Sequence, residues 1–406
     1  MPGGRDRPAV TQDPADSGAV GSGAVVSGAV VSGAVGSVVV VGASAAGLCT
    51  AEALRRRGFT GELTLLGAEP HPPYDRPPLS KQVLAGTWEP DRTRLRAVDA
   101  RLVLGDPAVA LDVPGRAVRT ASGLGLAGDA VVLATGVRPR RLPDQDRLAG
   151  VHVLRTLDDS LALRADLLGA SRLVVVGDGV LGAETAATAR GLGLDVTLVG
   201  PLRAPLELQL GPHAAEVLAG LHTAHGVRLV RAAVSGLTGD DRVRGVLLAT
   251  GEELPADVVV VALGALPNTE WLADSGLALD NGVVCDARCR AAEGVYAVGD
   301  VARWHHDRLG PIRLENRTNA TEQAAAVADN ILGADRVYAP VPFFWTDQFD
   351  ARIHLHGVPT GEAEVVDGDV GARRFVTVHH RDGVPVGVLG WNMPKQARQL
   401  RARLLG

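Results

Sequence analysis

Short, uninterrupted apolar runs alternate with longer helical patterns along most of this chain. The first run, residues 38–41, is followed by a glycine turn, a helical stretch at 45–57 and a second strand at 63–66, which is apolar except for Thr64. Continuous apolar runs of this length, joined by a helix, are typical of strands buried in a parallel sheet. The pattern therefore predicts a βαβ unit at the start of the folded region.

The same order of elements recurs in the middle of the chain. An apolar strand at 173–176 leads into a glycine turn, a helix at 182–192 and a second strand at 195–199. A strand, a glycine-rich turn and a helix in this order form the nucleotide-binding half of a Rossmann fold. We therefore predict an α/β protein with two Rossmann-like dinucleotide-binding domains.

The amino-terminal segment has a different pattern. Residues 17–36 repeat Ser-Gly-Ala-Val with a period of five, beginning at Ser17, Ser22, Ser27 and Ser32. Because this period matches neither the strand period of two nor the helix period of 3.6, no face of the segment stays apolar. Residues 1–36 are predicted to be a disordered leader of low complexity.

Composition limits the remaining function classes. The 406 residues suffice for two or three domains, and a net charge of −5 gives no indication of a nucleic-acid or membrane partner. Three cysteines, Cys49, Cys285 and Cys289, are too few and too irregularly spaced for a disulfide framework or a tetrahedral metal site. No apolar run reaches the roughly 18 residues of a membrane span. We expect a cytoplasmic protein without a bound metal.

The second glycine turn carries the strongest chemical signal. It lies directly after a strand, opens a helix and reads Gly177-Asp178-Gly179-Val180-Leu181-Gly182. In that context the glycines allow a tight turn and a close approach of the backbone to a pyrophosphate, whose charge meets the helix N-terminus. A dinucleotide site is predicted here.

The first turn follows the same pattern with one exception. It reads Gly42-Ala43-Ser44-Ala45-Ala46-Gly47, so Ser44 stands where the middle glycine is usual. Serine is small, and its hydroxyl can donate a hydrogen bond to a phosphate. Glu69, after the second strand, is the candidate for holding the ribose hydroxyls.

The second unit has no such acid after its second strand. Val199 is followed by Gly200-Pro201-Leu202-Arg203. A missing carboxylate beside an arginine favours the 2′-phosphate of NADPH, although NADH and NADPH both stay open.

A proline-rich loop points to one family. The loop reads Glu69-Pro70-His71-Pro72-Pro73-Tyr74-Asp75-Arg76-Pro77-Pro78-Leu79-Ser80-Lys81. It resembles the flavin-contacting loop of the FAD-dependent NAD(P)H:ferredoxin reductases, which include putidaredoxin and rubredoxin reductases. No general fold rule predicts a loop of this composition, so the resemblance is specific.

The resemblance continues to the end of the chain. Residues 134–136 and 264–268 look like the family's crossing segments between its nucleotide domains, and residues 294–300 look like its second FAD motif. Residues 342–348 look like the start of its small carboxy-terminal domain. Together the matching positions span about residues 37–406.

The resemblance implies a glutathione-reductase-like architecture with a small α+β C-terminal domain. An FAD-binding domain is expected from residues 37–145 and 268–335. An NAD(P)-binding domain is expected at 146–267, and a C-terminal reductase domain at 336–406. Within this arrangement, Lys81 and Glu184 are implied to pair beside the flavin and shape the pocket in which the nicotinamide delivers hydride.

The resemblance and the two turns together give a set of residues expected to bind FAD and NADH or NADPH. These residues are Gly42, Ser44, Ala46, Gly47, Glu69, Arg76, Lys81, Ala134, Thr135, Gly136, Gly177, Gly179, Leu181, Gly182, Glu184, Gly200, Arg203, Gly264, Gly299, Asp300, Arg317 and Trp345.

One helix is expected to point its amino terminus at the flavin. Asn319 with Glu322 three residues later fits a helix cap, and Gly333 fits the C-terminal end of that helix. A helix N-terminus stabilises negative charge by up to about 2 kcal/mol, so this helix would favour the reduced, anionic flavin. The family commonly has an aromatic residue just before this helix, whereas this chain has Arg317.

The electron acceptor is inferred partly from the cysteines. Disulfide-reducing relatives carry a cysteine pair near the flavin, and neither Cys-x-x-Cys nor Cys-x-x-x-x-Cys occurs here. The resemblance then implies a ferredoxin-type iron–sulfur protein as partner, which serves an oxygenase, with Arg398, Arg401 and Arg403 as a candidate docking rim. Two alternatives stay open: a flavin-binding sensor or partner-binding protein with little turnover, and an NAD(P)H oxidase. The protein is expected to be a monomer or a dimer.

Overall fold

The structure is a computed structural model and describes residues 35–404. The predicted leader, residues 1–36, lies outside this range except for its last two residues. Val35 packs against the first core, and the backbone N–H of Gly36 donates to the Asp129 carboxylate at 2.8 Å. These two residues are therefore part of the folded unit.

Seven α-helices occur along the described part of the chain. They are α1 (Ala45–Arg56), α2 (Leu157–Leu168), α3 (Val180–Gly191), α4 (Glu207–Leu210), α5 (Pro212–Ala224), α6 (Arg317–Ile331) and α7 (Pro394–Leu400). Short 3-10 helices lie at Pro77–Ser80, Pro90–Thr93, Gln145–Arg147, Glu270–Leu272, Gly299–Val301 and Arg401–Leu404.

The strands of the same residues fall into three stretches of the chain. The first stretch contains β1 (Ser37–Val41), β2 (Glu62–Leu66), β3 (Arg101–Val103), β4 (Ala108–Asp112), β5 (Ala117–Thr120), β6 (Gly125–Ala127), β7 (Ala130–Leu133) and β8 (Val137–Pro139). The second contains β9 (Val151–His152), β10 (Arg172–Val176), β11 (Asp195–Gly200), β12 (Arg228–Arg231), β13 (Val234–Gly239), β14 (Val243–Leu248), β15 (Glu253–Pro255), β16 (Val258–Val261) and β17 (Ala265–Pro267). The third contains β18 (Val283–Cys285), β19 (Arg290–Ala292), β20 (Val295–Ala297), β21 (Ala302–His306), β22 (Gly310–Ile312), β23 (Phe343–Gln348), β24 (Ala351–Gly357), β25 (Glu362–Asp369), β26 (Arg374–Arg381) and β27 (Val384–Trp391).

The first βαβ unit belongs to a six-stranded sheet with the order β19-β20-β7-β1-β2-β3. Strand β1 runs parallel to both β2 and β7, and Val38, Val40 and Val41 are fully buried. Helix α1 packs on this sheet beside α6. The predicted strands and helix of this unit are therefore confirmed, with ends that differ by one residue.

The second βαβ unit forms a separate parallel sheet of five strands with the order β12-β11-β10-β16-β9. Helix α3 begins at Val180, two residues before the predicted start, because the glycine turn leads directly into helical backbone. Two Rossmann-like units in an α/β protein are thus present, as the apolar pattern predicts.

Two segments cross between the two sheets and pair with each other. Strand β8 pairs antiparallel with β17, and Val137 lies opposite Pro267. The Thr135 hydroxyl donates to Asn268 O at 3.0 Å, and Asn268 Nδ2 donates to Thr135 O at 2.8 Å. These two hydrogen bonds tie together the segments at 134–136 and 264–268.

The last part of the chain folds into an antiparallel sheet with the order β23-β24-β27-β26-β25. Phe375 and Trp391 are fully buried on it and stack with ring centroids 5.7 Å apart. Helix α7 packs on strands β24 and β27. This sheet and helix make up the small α+β part that the resemblance implies. Among residues 35–404, every helix is too short or too polar to span a bilayer.

The prediction that Asn319 caps the helix near the flavin is wrong. Helix α6 begins at Arg317, and its cap is Asn316, whose side-chain oxygen accepts from the backbone N–H of Asn319 at 2.7 Å. Asn319 is buried one turn into the helix, where its side chain accepts from the Tyr338 hydroxyl at 3.0 Å. Two asparagines three residues apart give equivalent sequence signals, and burial beside Tyr338 draws the second into the core.

A buried histidine makes stability depend on pH. His356 on β24 stacks on Phe343 with centroids 4.7 Å apart, and neither ring nitrogen has a hydrogen-bond partner. Burial, with the nearby Arg401 as the next cause, lowers the pKa of His356 to about 4. The unfolded chain, with a histidine pKa near 6.5, therefore binds a proton that the folded chain excludes between these values. Stability from this group is complete above pH 6.5 and is lost as the pH falls towards 4.

We expect His356→Phe to remove part of this acid sensitivity. The wild-type protein should lose about 3 kcal/mol more than the variant between pH 7 and 4, since each pKa unit corresponds to about 1.4 kcal/mol. Thermal unfolding across this pH range measures the difference. His305→Phe, at an exposed position on β21, is the matched control, and equal pH slopes for wild type and His356→Phe would contradict the prediction.

Candidate functional site

The first glycine turn is closed by backbone contacts that only glycine allows. Gly42 has a φ of +123°, and a Cβ there would lie 2.1 Å from the carbonyl oxygen of Ala134. A Cβ at Gly47 would lie 1.9 Å from the carbonyl oxygen of Gly42. These glycines let helix α1 begin directly against the ends of β1 and β7.

The second turn has the same geometry. Gly177 has a φ of +117°, and its Cβ would lie 2.2 Å from Ala262 O, while a Cβ at Gly182 would lie 1.9 Å from Gly177 O. Gly179 differs, because the space around its Cβ position is open. The glycine is thus not required there by the protein's own packing, which fits close approach of a pyrophosphate to that side of the turn.

The helices that follow these turns have unsatisfied amino termini. Neither Ser44 nor Gly179 provides a side-chain cap, and the first turns of α1 and α3 contain no acidic residue. By contrast, α2 and α6 are capped by Thr156 and Asn316. Free N–H groups and the positive end of the helix dipole at α1 and α3 suit the two pyrophosphates of FAD and NAD(P)H.

A buried ion pair connects the proline-rich loop with helix α3. Lys81 Nζ lies 2.6 Å from Glu184 Oε2, with side chains only 12% and 7% exposed. The Ser80 hydroxyl donates to the same oxygen at 2.7 Å. The pairing of Lys81 with Glu184, implied by the family resemblance, is present in the structure.

The other oxygen of Glu184 ends a chain of hydrogen bonds that the sequence did not indicate. The Thr346 hydroxyl donates to Glu184 Oε1 at 2.8 Å, and Gln348 Nε2 donates to Thr346 Oγ1 at 3.0 Å. His222 Nε2 lies 2.7 Å from Gln348 Oε1. Because an amide oxygen only accepts, His222 carries its proton on Nε2, and all three bonds point towards Glu184. Glu184 is thus held by both the proline-rich loop and strand β23.

We expect Thr346→Val to lower the rate of reduction of bound FAD by NADH about tenfold. Valine keeps the shape of threonine but leaves Glu184 Oε1 without its donor and Gln348 Nε2 without its acceptor, which also costs about 1–3 kcal/mol of stability. Stopped-flow reduction and thermal unfolding measure the two effects. The matched control is Thr60→Val, because Thr60 is exposed on the loop between α1 and β2, away from Glu184. A wild-type rate in Thr346→Val would contradict the role of this chain of bonds.

The proline-rich loop is organised by Glu69. Its carboxylate accepts from Arg76 Nη2 at 2.7 Å and from the Tyr74 hydroxyl. Burial is the largest cause that raises the pKa of Tyr74 to about 12, so the phenol stays protonated as a donor. Glu69 therefore holds the loop in place, and its predicted contact with a ribose stays a prediction.

Arg155 joins this site although no sequence motif marked it. Its Nη2 lies 3.2 Å from Asp300 Oδ2, and its carbonyl oxygen accepts from Arg76 Nη1 at 2.6 Å. Burial and the neighbouring Arg76 lower the pKa of Arg155. Arg76 Nε is buried without a partner. Two adjacent guanidinium groups with an unsatisfied N–H suit an anionic group such as the phosphates of FAD.

The second FAD motif lies against the first glycine turn. Gly299 has a φ of +75°, its N–H donates to Gln323 Oε1 at 2.7 Å, and a Cβ there would lie 2.8 Å from the Cβ of Ala46. Asp300 follows directly. The structure thus brings the motifs at 42–47 and 294–300 together, as a shared FAD site requires.

A pocket of about 370 Å³ opens beside the Lys81–Glu184 pair. Lys81 lies over the Trp345 ring, with Nζ 5.2 Å from the centroid. The pocket wall also contains Asp75, Arg317, Trp88 and Arg92. It combines aromatic surface with charged groups, which suits a nicotinamide or the surface of a redox partner.

Arg317 lies at the first position of α6, where a cation is unfavourable to the helix dipole. Asp75 offsets this charge, since Arg317 Nε donates to its Oδ1 at 2.6 Å. Arg317 Nη1 lies 3.7 Å from the sulfur of Cys49. The arginine that replaces the family's usual aromatic residue is therefore anchored to the proline-rich loop and lines the pocket.

At the end of β11, Arg203 does not extend freely towards a nucleotide. Its Nε donates to Glu207 Oε1 at 2.8 Å. The carboxylate of Asp178 lies against Gly200, although no acid occurs at 200–203 in the sequence. An acid from the preceding turn thus occupies the edge at which the sequence has none, and the choice between NADH and NADPH stays open.

Gly136, Gly264 and Leu181 lie at the edges of the site. Gly136 and Gly264 have φ values of +67° and +86° in the two crossing segments, and Gly264 O accepts from Arg140 N at 2.9 Å. Leu181 is half-buried in the first turn of α3.

The three cysteines lie in the first core as free thiols, and the arginines of the predicted docking rim lie at or near the surface. Cys49, Cys285 and Cys289 are buried and free. Arg398 and Arg403 are exposed, and Arg401 is half-buried. Among residues 35–404 no group of three His, Cys, Asp or Glu side chains is arranged to hold a metal ion.

Comparison with known proteins agrees with this geometry. Residues 36–324 match the family model of the pyridine nucleotide-disulphide oxidoreductases, and residues 343–405 match that of the reductase C-terminal domain. The chain is 39% identical over 379 residues to the ferredoxin reductase component of chlorobenzene dioxygenase from Cupriavidus sp. (strain PS12), covering 90% of this chain and 92% of that protein. It is 37% identical over 353 residues to rhodocoxin reductase from Rhodococcus erythropolis, covering 84% and 82%.

A solved structure is similar over nearly the same range. The covalent complex of putidaredoxin reductase with putidaredoxin superposes with a TM-score of 0.86 at 32% identity, covering 91% of this chain and 92% of that chain. The family model matches residues 36–324, which is more than half of the chain, and the two relatives cover 84% and 90% of the chain. The chain therefore belongs to the pyridine nucleotide-disulphide oxidoreductase family, among its ferredoxin reductases.

Proposed function

We propose that this protein is an FAD-dependent NAD(P)H:ferredoxin reductase that supplies single electrons to the iron–sulfur protein of an oxygenase system. The observation that carries the proposal is the Lys81–Glu184 pair beside a pocket that contains no cysteine. That pair and pocket lie where the proline-rich loop meets the helix of the second glycine turn.

Bound FAD supplies the chemistry that accepts two electrons from NAD(P)H and releases them one at a time. The chain's own groups bind and orient the reactants. The N-termini of α1 and α3 receive the pyrophosphates, and Arg76 and Arg155 add positive charge at the first site. Lys81 and Glu184 fix the wall against which the nicotinamide is placed, while Trp345 provides an aromatic surface.

The absence of a cysteine pair beside the pocket favours an external electron carrier over a disulfide as the electron acceptor. A disulfide reductase needs two cysteines near the flavin, whereas Cys285 and Cys289 lie in the first core and burial raises the pKa of both. Buried thiols with raised pKa values are poor nucleophiles. Electrons are therefore expected to leave directly from the FAD edge to an external carrier.

The relatives support a ferredoxin as that carrier. One is named as the ferredoxin reductase component of a dioxygenase, and a structural neighbour is bound to putidaredoxin. The pocket wall contributes the exposed Arg92 and Arg94, which suit an acidic partner, whereas Arg317 is paired with Asp75. These features favour an iron–sulfur protein over a disulfide substrate.

The proposal is tested by adding a purified [2Fe–2S] ferredoxin to the FAD-loaded protein with NADH and cytochrome c. We expect cytochrome c reduction to depend on the ferredoxin and to saturate with its concentration. Nucleotide oxidation that is independent of ferredoxin and yields hydrogen peroxide would support the oxidase alternative instead. No nucleotide oxidation under either condition would support the sensor alternative.

A further inference from the structure

The glycine turn at 177–182 contains an acid that no glycine motif requires. Asp178 follows Gly177, and its side chain extends over the end of strand β11. A Cβ built on Gly200 would lie 2.2 Å from both Cγ and Oδ2 of Asp178. The carboxylate of Asp178 thus fills the volume that a side chain at position 200 would enter.

This volume has a defined role in a dinucleotide-binding unit. An acid at the end of the second strand accepts hydrogen bonds from the adenosine ribose hydroxyls, and it disfavours a 2′-phosphate through charge repulsion. Here Gly200 is the last residue of β11 and cannot provide that acid. Asp178 places a carboxylate at the same edge from the preceding turn.

The position of the Asp178 carboxylate is fixed by the loop after β11. Its Oδ2 accepts from the backbone N–H of Leu202 at 3.0 Å, and the Asp178 carbonyl oxygen accepts from Leu206 N at 2.9 Å. A carboxylate has about four lone-pair sites, so this contact leaves acceptor capacity for a pair of ribose hydroxyls. The side chain is half-buried, which leaves it reachable from the nucleotide side.

We propose that Asp178 holds the adenosine ribose of NADH and makes this reductase selective for NADH over NADPH. This inference rests on the proposed function in one respect, which is that NADH or NADPH binds at the second glycine turn. It assigns to Asp178, together with Gly200, a role that a strand-end acid performs in other dinucleotide-binding units. Positions 178 and 200 compete for the same volume, so an acid at 178 requires glycine at 200.

The nearby arginine is committed to another partner. Glu207 Oε1 accepts from Arg203 Nε at 2.8 Å, and Glu207 Oε2 accepts from Arg203 N at 3.1 Å. Arg203 is thus neutralised by an acid four residues later in the chain. With Asp178 and Glu207 both at this edge, a 2′-phosphate meets two carboxylates, while Arg203 is paired with Glu207 and Arg231 donates from Nε to the Pro201 carbonyl oxygen at 3.3 Å.

The test uses ADP-ribose and 2′-phospho-ADP-ribose as probes, titrated calorimetrically into the FAD-loaded protein. Both probes lack nicotinamide, so their binding is independent of flavin reduction. We expect wild type to bind ADP-ribose at least about tenfold more tightly than the 2′-phosphorylated probe. Asp178→Gly should weaken ADP-ribose binding about tenfold or more, because hydrogen bonds to a charged group are lost.

Two further variants keep the test independent of folding. Asp178→Asn preserves an acceptor for Leu202 N–H but removes the negative charge. The affinity for ADP-ribose should therefore exceed the affinity for 2′-phospho-ADP-ribose by a smaller factor than in wild type. The double variant Asp178→Gly with Gly200→Glu moves the acid to the strand end and should restore ADP-ribose affinity. Asp195→Ala, which removes an exposed acid from the other end of β11, is the matched control and should bind like wild type.

A final variant tests the arginine. Glu207→Gln should release Arg203 and tighten binding of 2′-phospho-ADP-ribose several-fold. Unchanged ADP-ribose affinity in folded Asp178→Gly and Asp178→Asn would overturn the inference, as would tighter binding of the phosphorylated probe by wild type. If NADH failed to reduce the flavin while ADP-ribose binding still depended on Asp178, the proposed function would fail and this inference would stand.

Discussion

Replacing Lys81 with methionine is expected to slow the reduction of bound FAD by NADH about a hundredfold while FAD stays bound. Methionine fills the volume of the lysine stem but removes the ammonium group that lies 2.6 Å from Glu184 Oε2. Glu184 is then held by Ser80 and Thr346 alone, and the wall beside the proposed nicotinamide site loses its fixed position. Misplacement of reactants by about 1 Å is sufficient for a loss of this size.

The same substitution should also lower stability, because it leaves a buried carboxylate without its cation. Losing one partner of a buried ion pair costs about 3–5 kcal/mol. Stopped-flow absorbance at the flavin band gives the rate, and the flavin-to-protein ratio gives FAD retention. The chain's other lysine, the exposed Lys395 on α7, provides the control Lys395→Met. Reduction of FAD at the wild-type rate in Lys81→Met would contradict a role of Lys81 in hydride transfer.

The second large effect is expected from Gly42→Ala in the first glycine turn. A methyl group there would lie 2.1 Å from Ala134 O, and a φ of +123° is unfavourable for alanine. The turn must shift to relieve the overlap, at a cost of about 3 kcal/mol or more. Because the proposed FAD site includes the α1 N-terminus that this turn presents, the purified variant should contain little flavin and unfold at a lower temperature.

The control for this prediction separates backbone conformation from overlap. Gly58 also has a positive φ, +84°, but nothing lies within 4 Å of its Cβ position. Gly58→Ala should cost about 1–2 kcal/mol and leave the flavin-to-protein ratio unchanged. If Gly42→Ala retained FAD at the wild-type ratio, the close packing of this turn would not be needed for the cofactor site.

The parts of the fold that could be predicted from sequence are those fixed by local periodicity. The runs 38–41 in β1 and 173–176 in β10 are fully apolar because parallel strands are covered on both faces, so they stand out from the surrounding pattern. Strands β2 and β11 are apolar in their second halves but contain Thr64 and Thr197. The glycine turns could be predicted because only glycine tolerates the contacts at Gly42 and Gly177. The Lys81–Glu184 pair came from resemblance alone, since 103 residues separate its members in the chain.

The features that sequence analysis missed depend on contacts between distant segments. Thr346, Gln348 and His222 come from two parts of the chain and have no common spacing, so their hydrogen bonds appear only in the folded protein. The cap of α6 was assigned to Asn319 instead of Asn316, because the choice depends on burial against Tyr338. The acid at the end of β11 was missed because Asp178 reaches that place from the preceding turn.

The central claim, that this chain transfers electrons from a nicotinamide nucleotide to bound FAD, is tested most directly by anaerobic titration of the FAD-loaded protein. NADH and NADPH are added to separate samples, and the absorbance of the oxidised flavin band at ~450 nm is followed in each. This band is a general property of oxidised flavins. We predict bleaching near one equivalent of NADH, with NADPH requiring a large excess. A flavin that neither nucleotide bleaches would contradict the account and leave a flavin-binding protein without reductase activity.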